Sequence, residues 1–388
     1  MKQFLMKSIA VLGLVLIAWA PFSEAGERQG LSAGDELEPL IRAGVYNGGG
    51  ASPACVIETF EALRIDPGIV PSLIGPADIY TGKLDELDVI IFPGGSGSKQ
   101  NNSMGSGLHE EVVRFVRERG KGIVGICAGA YLVSDSKGYP CLGLIGADTI
   151  DRIHDKRGSA LVEVSFTEKG LEIFPEMKDY RYGYIQYHDG PVFVPPSGAK
   201  NVAYDELAVN GSDVHHTGNA PRGMTPGKSF LLCEEAGRGR VFACAGHPES
   251  TTGMRWMVPR MVRYVARVDL VGYSAEVTRP GLGKAEIMHS DEFETELYWK
   301  LFDEDPAIKI GALKELRAKR YRNGFRWAAG MIRDLSPEVR AFAAGVLAEA
   351  EYTAAIEDLE AVVLNEKDPI CRERLQSALA DLKRMVAH

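Results

Sequence analysis

The sequence predicts an α/β protein built on a doubly wound parallel sheet, followed by a small all-α repeat tail, and three observations carry that expectation. Short apolar runs alternate with helical stretches from Ile41 onward, residues 160 to 245 are richer in β-type segments, and a proline-marked pattern recurs three times after residue 300. Strands separated by helices at this spacing require crossover connections, and hence parallel neighbours. Ala43-Gly-Val-Tyr46 is the first strand and ends in Asn47-Gly48-Gly49-Gly50; Cys55 to Leu63 reads as a helix. Asp88-Val-Ile-Ile-Phe92 is a buried strand that runs into the Gly-rich loop Pro93 to Gly97. His109 to Arg119 carries Val112, Val113 and Val116 on one side of a helix, and Gly122 to Ile126 is a second buried strand leading directly into Cys127.

Further along, strands are expected at 161–166, 192–194, 200–204, 229–234 and 240–245. The last two flank Gly237-Arg-Gly239 as a hairpin, and a turn at Arg238-Gly239 would set Cys233 opposite Cys244. A helix over 253–268 closes an α/β domain spanning 41–270, and 271–300 reads as a connection. In the tail, 301–388, the dipeptides Asp305-Pro306, Ser336-Pro337 and Asp368-Pro369 place their prolines 31 and 32 positions apart. Each pairs a capping side chain with a residue that needs no amide donor, which is helix-start chemistry. Apolar residues follow at helical spacing, and second helices fit 325–333 and 354–364. The tail is expected to stack as its own unit, so that its removal leaves the α/β domain folded.

With 45% hydrophobic and 25% charged residues the chain has material for real cores, and its formal net charge of -9 argues against nucleic acid or an anionic membrane as partner. Lys2 and Lys7 precede the apolar run Ile9 to Trp19, and Ser23-Glu24-Ala25 supplies small residues where a signal peptidase reads. Residues 1–25 are therefore expected to be a secretory signal, 26–40 a linker, and the mature protein periplasmic or secreted with no membrane span after cleavage.

The sharpest chemical feature is Gly125-Ile126-Cys127-Ala128-Gly129. A nucleophile on a tight strand-to-helix turn has strained backbone angles and needs small neighbours on both sides, and the following helix start favours a thiolate. His247-Pro248-Glu249 ends a later strand, so an imidazole can take the thiol proton while a carboxylate two residues on fixes its tautomer. Gly94 and Gly95 follow another strand, where side-chain-free positions let amides approach an oxyanion together with the amide of Ala128. All three features fall at carboxyl ends of strands, where ligands gather in open α/β sheets.

On these residues the stretch 41–268 resembles the class I glutamine amidotransferase-like superfamily, through its G-x-C-x-G elbow and His-Pro-Glu ending. Phe92-Pro-Gly-Gly95, Gly125 to Tyr131 and Tyr187-His-Asp-Gly-Pro191 make it more similar to the biotin-protein ligase N-terminal domain family, and the tail resembles HEAT-like repeats. The resemblance implies a flavodoxin-like fold, with Cys127 as nucleophile, His247 as base and Glu249 as the orienting acid. No ammonia-accepting domain follows, so hydrolysis of an amide or thioester, of a small molecule or a peptide, is expected rather than ammonia transfer. A non-catalytic binding module using the same pocket is the alternative. Asn47, Gly48, Tyr187 and His188 are candidate substrate contacts, and the repeats are a candidate surface for a protein partner. No cofactor or metal is expected: His215 and His216 are adjacent and lack further ligands at useful spacing. The basic cluster Arg317, Lys319, Arg320, Arg322 and Arg326 reads as a solvated face of the repeats.

Overall fold

A computed structural model describes residues 40–199, 201–282 and 287–387. The expected signal and linker, 1–39, lie outside the described residues. Residues 40–388 form one compact unit. Strands β1 (Ile41–Tyr46), β2 (Ile69–Ile74), β3 (Val89–Phe92) and β4 (Gly122–Ile126) open the sheet. They are followed by β5 (Asp148–Ile150), β6 (Ser159–Phe166), β7 (Gly183–His188), β8 (Val192–Val194), β9 (Asp205–Asn210), β10 (Ser229–Ala236), β11 (Gly239–Cys244) and β12 (Ile287–His289). The spatial order is β12-β6-β9-β10-β11-β4-β3-β1-β2, with β7 pairing β6, and β8 pairing β10 and β5.

The half β2-β1-β3-β4-β11 is parallel and has the flavodoxin-like order. The other half is antiparallel. The reason is visible in the composition of the strands. β3 and β4 are uninterrupted apolar or glycine runs, buried at every position, as strands covered on both faces must be. Helix α1 (Pro53–Leu63) packs on α6 (Met257–Ala266), while α3 (Gly97–Arg117) packs on α2 (Pro76–Tyr80) and α4 (Ala128–Val133), giving the parallel half its two helical layers. A short α5 (Glu168–Ile173) packs beside β9.

Three expectations change. The β10–β11 turn is Gly237-Arg238, because Ala236 pairs with Gly239 and Gly237 takes a left-handed φ of 62°. That register sets Cys233 opposite Phe242 and Cys244 opposite Leu231, and both cysteines are free thiols. The strand expected at 200–204 lies instead at Asp205–Asn210, and the sequence does not announce β2, β5, β7 or β12. The supposed connection contains α7 (Asp291–Leu301), whose Leu297 and Leu301 belong to the apolar core of the tail.

The tail continues with α8 (Pro306–Lys319), α9 (Arg322–Met331), α10 (Pro337–Glu349), α11 (Ile356–Asn365) and α12 (Pro369–Arg384). Each expected cap forms: the side chains of Asp305, Ser336 and Asp368 accept from the amides of Ala307, Val339 and Cys371. Such caps contribute about 1 kcal/mol apiece. The tail has its own apolar core, yet it does not stand apart from the sheet. Arg255, buried after β11, donates to the carbonyl oxygens of Glu249 and Glu351 and, at 2.8 Å, to Thr353 Oγ1. Glu351 in turn accepts from the amide of Gly253 at 3.0 Å and from Arg279 at 3.1 Å. Buried polar groups on each side thus find partners on the other.

Candidate active site

Cys127 sits between β4 and α4 with φ 52° and ψ −102°, outside the ordinary regions for a residue with a side chain. The glycines on either side are required by contact. A Cβ at Gly125 would lie 2.4 Å from the carbonyl oxygen of Gly129, and one at Gly129 would lie 1.9 Å from that of Phe92. The elbow expected from the sequence is therefore present, with the thiol at the carboxyl end of the parallel half.

Residues Pro248–Ser250 form a 3-10 turn directly after β11 and Ala245-Gly246, with His247 as its cap. His247 Nδ1 lies 2.6 Å from Glu249 Oε1, and both side chains are buried. The amide of His247 donates to the carbonyl of Gln186, which fixes the imidazole against β7. Nε2 of His247 has no hydrogen-bond partner among the described residues. The Cys127 thiol donates instead to the carbonyl of His188, at 3.4 Å. Cysteine and histidine share one cavity of about 420 Å3, whose wall also includes Gly95, Ala128 and His188.

Other expected contacts fall elsewhere. Gly94 is off the cavity wall and has a steric role: a Cβ there would meet Cys55 Sγ and His247 Cε1, each at 2.8 Å. Asn47 and Gly48 are not on the wall either. Asn47 donates to the carbonyl of Ile74, and Gly48 lies against the ring of Tyr46 and Pro76, so this loop braces β1 and α2; the residues just beyond it, Ser52 and Cys55, reach the cavity. Tyr187 is a core residue whose hydroxyl donates to the carbonyl of Gly190 at 2.6 Å.

The largest departure is the basic cluster. Arg322, expected in solvent, is 4% exposed. Its Nη2 lies 3.4 Å from Cys55 Sγ, 3.0 Å from Glu58 Oε2 and 3.8 Å from Glu249 Oε1. Arg326, one turn on, grips both oxygens of Glu58 at 2.9 and 3.0 Å. Arg317 alone of these three is solvent-exposed, pairing with Glu349 at 3.3 Å. Nothing local in the sequence marks Arg322, because its partners on α1 are 264 and 267 positions away. Cys55 was closer to reach, since it follows the first strand's Gly-rich loop on the same edge of the sheet.

Electrostatics follow from burial and from this guanidinium. Burial pushes the Cys127 thiol well above its ordinary value; nearby Cys55 adds to the rise and Arg322 opposes it. The helix start was expected to do the reverse, but α4 has only six residues and cannot offset desolvation. Burial likewise raises the Cys55 thiol and lifts the Glu249 carboxyl to about 8, and Arg322 opposes both. His247 is driven well below its ordinary value by burial and then by the charge of Arg322, so it is a neutral imidazole. Burial works against ionisation of Glu58, but Arg322 and Arg326 outweigh it and hold that carboxyl low. Asp189, on the cavity wall, is raised to about 6 by burial. Among the described residues Cys55, His247 and Glu249 are the one group of potential metal donors, with atoms within 4.8 Å of one another. Cys55 and Glu249 of this group face the Arg322 guanidinium already in place, a charge that opposes a dication there.

Residues 295–380, within the helical tail, match the HEAT repeats family model. A biotin–protein ligase of Schizosaccharomyces pombe is 30% identical over 96 residues, 23% of this chain; the match spans 15% of the ligase's length. The glutaminase domain of Trypanosoma brucei CTPS with bound acivicin overlays 60% of this chain and 96% of its own at 13% identity, with a TM-score of 0.38. Drosophila melanogaster DJ-1beta overlays 24% of this chain and 59% of its own at 24% identity, with a TM-score of 0.21.

Proposed function

We propose that the chain is an exported cysteine hydrolase or amidase of the class I glutamine amidotransferase-like type, similar to the biotin-protein ligase N-terminal domain family. The observation that carries this reading is the strained elbow at Cys127, facing the same cavity as a histidine bonded to a buried carboxylic acid. Backbone strain of this kind persists where function holds it. In the proposed reaction His247 Nε2 takes the Cys127 proton and the thiolate attacks an amide or thioester carbonyl carbon, with the amides of Gly95 and Ala128 toward the oxyanion. The carbon–nitrogen or carbon–sulfur bond breaks, and the leaving group receives the proton from His247. Water then attacks the thioacyl-enzyme, releasing the acid and restoring the thiol.

The base-competent tautomer carries hydrogen on Nδ1 and a carboxylate on Glu249. A carboxyl raised to about 8 is mainly protonated below that pH, so the competent form grows as pH rises through 8. Iodoacetamide should therefore label Cys127 with a rate that climbs across this range. His247→Ala should slow the labelling on the order of a hundredfold near pH 7.5. Mass mapping separates Cys127 from Cys55, the thiol that shares its cavity. Preferential labelling of Cys55, or a rate at Cys127 unaffected by His247→Ala, would overturn the assignment. The unengaged Nε2 and the raised thiol favour a second reading, a pocket that binds a small ligand without turnover, and that reading would then stand.

A further inference from the structure

Helical repeats are ordinarily read as scaffolds, yet here one repeat helix supplies part of the wall of the cavity described above. We propose that the repeats complete the active centre, and that Arg322 on α9 is a positioning residue of the Cys127–His247–Glu249 set. The inference rests on the hydrolase reading and names a part of its machinery that lies outside the α/β domain.

The geometry is that of a built site. Arg322 is buried, and its guanidinium bridges Cys55 and Glu58 of α1 while facing Glu249 at 3.8 Å. Glu58 is shared with Arg326, so the carboxylate that seats Arg322 is itself held from two sides. The approach of α9 is fixed by the backbone as well. Arg320, with a left-handed φ of 51°, ends α8, and its carbonyl accepts from the side-chain amide of Gln186. The carbonyl of that same Gln186 accepts from the amide of His247. One residue of β7 thus ties the catalytic imidazole to the turn that delivers Arg322.

A solvated repeat face would not bury a guanidinium against a thiol and two carboxyls, because desolvating a charge is costly unless its partners repay it. The partners here belong to the site. The charge of Arg322 opposes the effect of burial at Cys127, Cys55 and Glu249, and it disfavours the imidazolium form of His247. It therefore favours the neutral base beside an ionised acid, which is the combination the proposed chemistry uses. His188, Asp189, Tyr131, Tyr139 and Asp155, with the cations Arg152, Lys156 and Arg326, also line this cavity. Burial and then the charge of Arg322 hold the His188 imidazole down to about 4, so a substitution at 322 relaxes His188 and His247 in the same direction.

The test is the pH profile of Cys127 alkylation in the full chain, mapped by mass spectrometry. Arg322→Gln should move the ascending limb about one pH unit higher, making the reaction about tenfold slower on that limb. Arg322→Lys keeps the charge without the fork and should remain within about threefold of the unaltered protein. A full loss in the Lys variant overturns the role of the charge even if the Gln variant does not fold. Arg340→Gln removes a bidentate pair to Glu366 inside the repeats, away from the cavity, and should leave the profile in place. A profile in Arg322→Gln that superimposes on the unaltered one, with His247→Ala still slow, overturns this proposal and leaves the hydrolase reading intact. An equal shift in Arg340→Gln overturns it too, since the cause is then a loosened tail. An unaltered protein that His247→Ala does not slow defeats the hydrolase reading itself.

Discussion

Deleting residues 291–388 is expected to unfold the α/β domain rather than release it as an independent unit. The deletion strips Glu58 of both arginines and Arg255 of its bonds to Glu351 and Thr353, leaving buried charged groups unpaired. Breaking one buried pair from one side costs about 3–5 kcal/mol. The two bonds of Arg255, to a carbonyl and a hydroxyl, add about 1.5–3 kcal/mol each as hydrogen bonds to a charge, so the losses together reach the range of a whole domain's net stability, about 5–15 kcal/mol. The truncated chain should be insoluble, or should lack a cooperative transition in urea followed by circular dichroism. A sharp transition near that of the full chain would show that the interface contributes little.

Gly129→Ala should be the most damaging small substitution at the elbow. The new methyl would sit 1.9 Å from the Phe92 carbonyl oxygen and 2.6 Å from its carbon, both backbone atoms that cannot rotate away. Overpacking of this kind costs about 1–3 kcal/mol, and relief here requires β3 and α4 to separate. Phe92 leads into the Pro93 to Gly97 loop, so the strain reaches the oxyanion side as well as the thiol. A lower melting temperature and a loss of Cys127 labelling of at least about tenfold are expected, the latter from a misplacement of roughly 1 Å. Gly345→Ala is the contrasting case. It lies inside α10 with no atom within 4 Å of the added carbon, and should stabilise by about 0.5–1 kcal/mol. Differential scanning calorimetry of the two variants reads opposite signs; a Gly129→Ala protein as stable as its parent would mean that the elbow yields.

What could be read from the sequence was whatever is local. The apolar runs at Val89–Phe92 and Gly122–Ile126, the capped prolines of the tail and the flanking glycines of Cys127 each declare their structure within a few residues. β7 was missed because Gly183–His188 mixes polar and aromatic residues with no clean alternation. The hairpin register slipped because Gly237 and Gly239 both satisfy a turn, and only the pairing partner decides between them. Asn47 and Gly48 sit at a strand's carboxyl end, as a ligand loop would, and yet turn toward α2. Arg322 was illegible for a different reason. Its charge reads as surface until Glu58 and Glu249 are brought to it by the fold.

The distance between Glu58 and Arg322 along the chain also sets an order of events during synthesis. Glu58 is translated 264 residues ahead of its partner, and Asp66 is 197 ahead of Arg263. While the ribosome works through that interval, about 13–50 s at 5–20 residues per second, α1 carries a carboxylate that has no guanidinium to close upon. Until it closes, neither the stable sheet nor the cavity can reach its final form. Maturation of the thiol's surroundings is therefore a late event, completed only after α9 has emerged and docked.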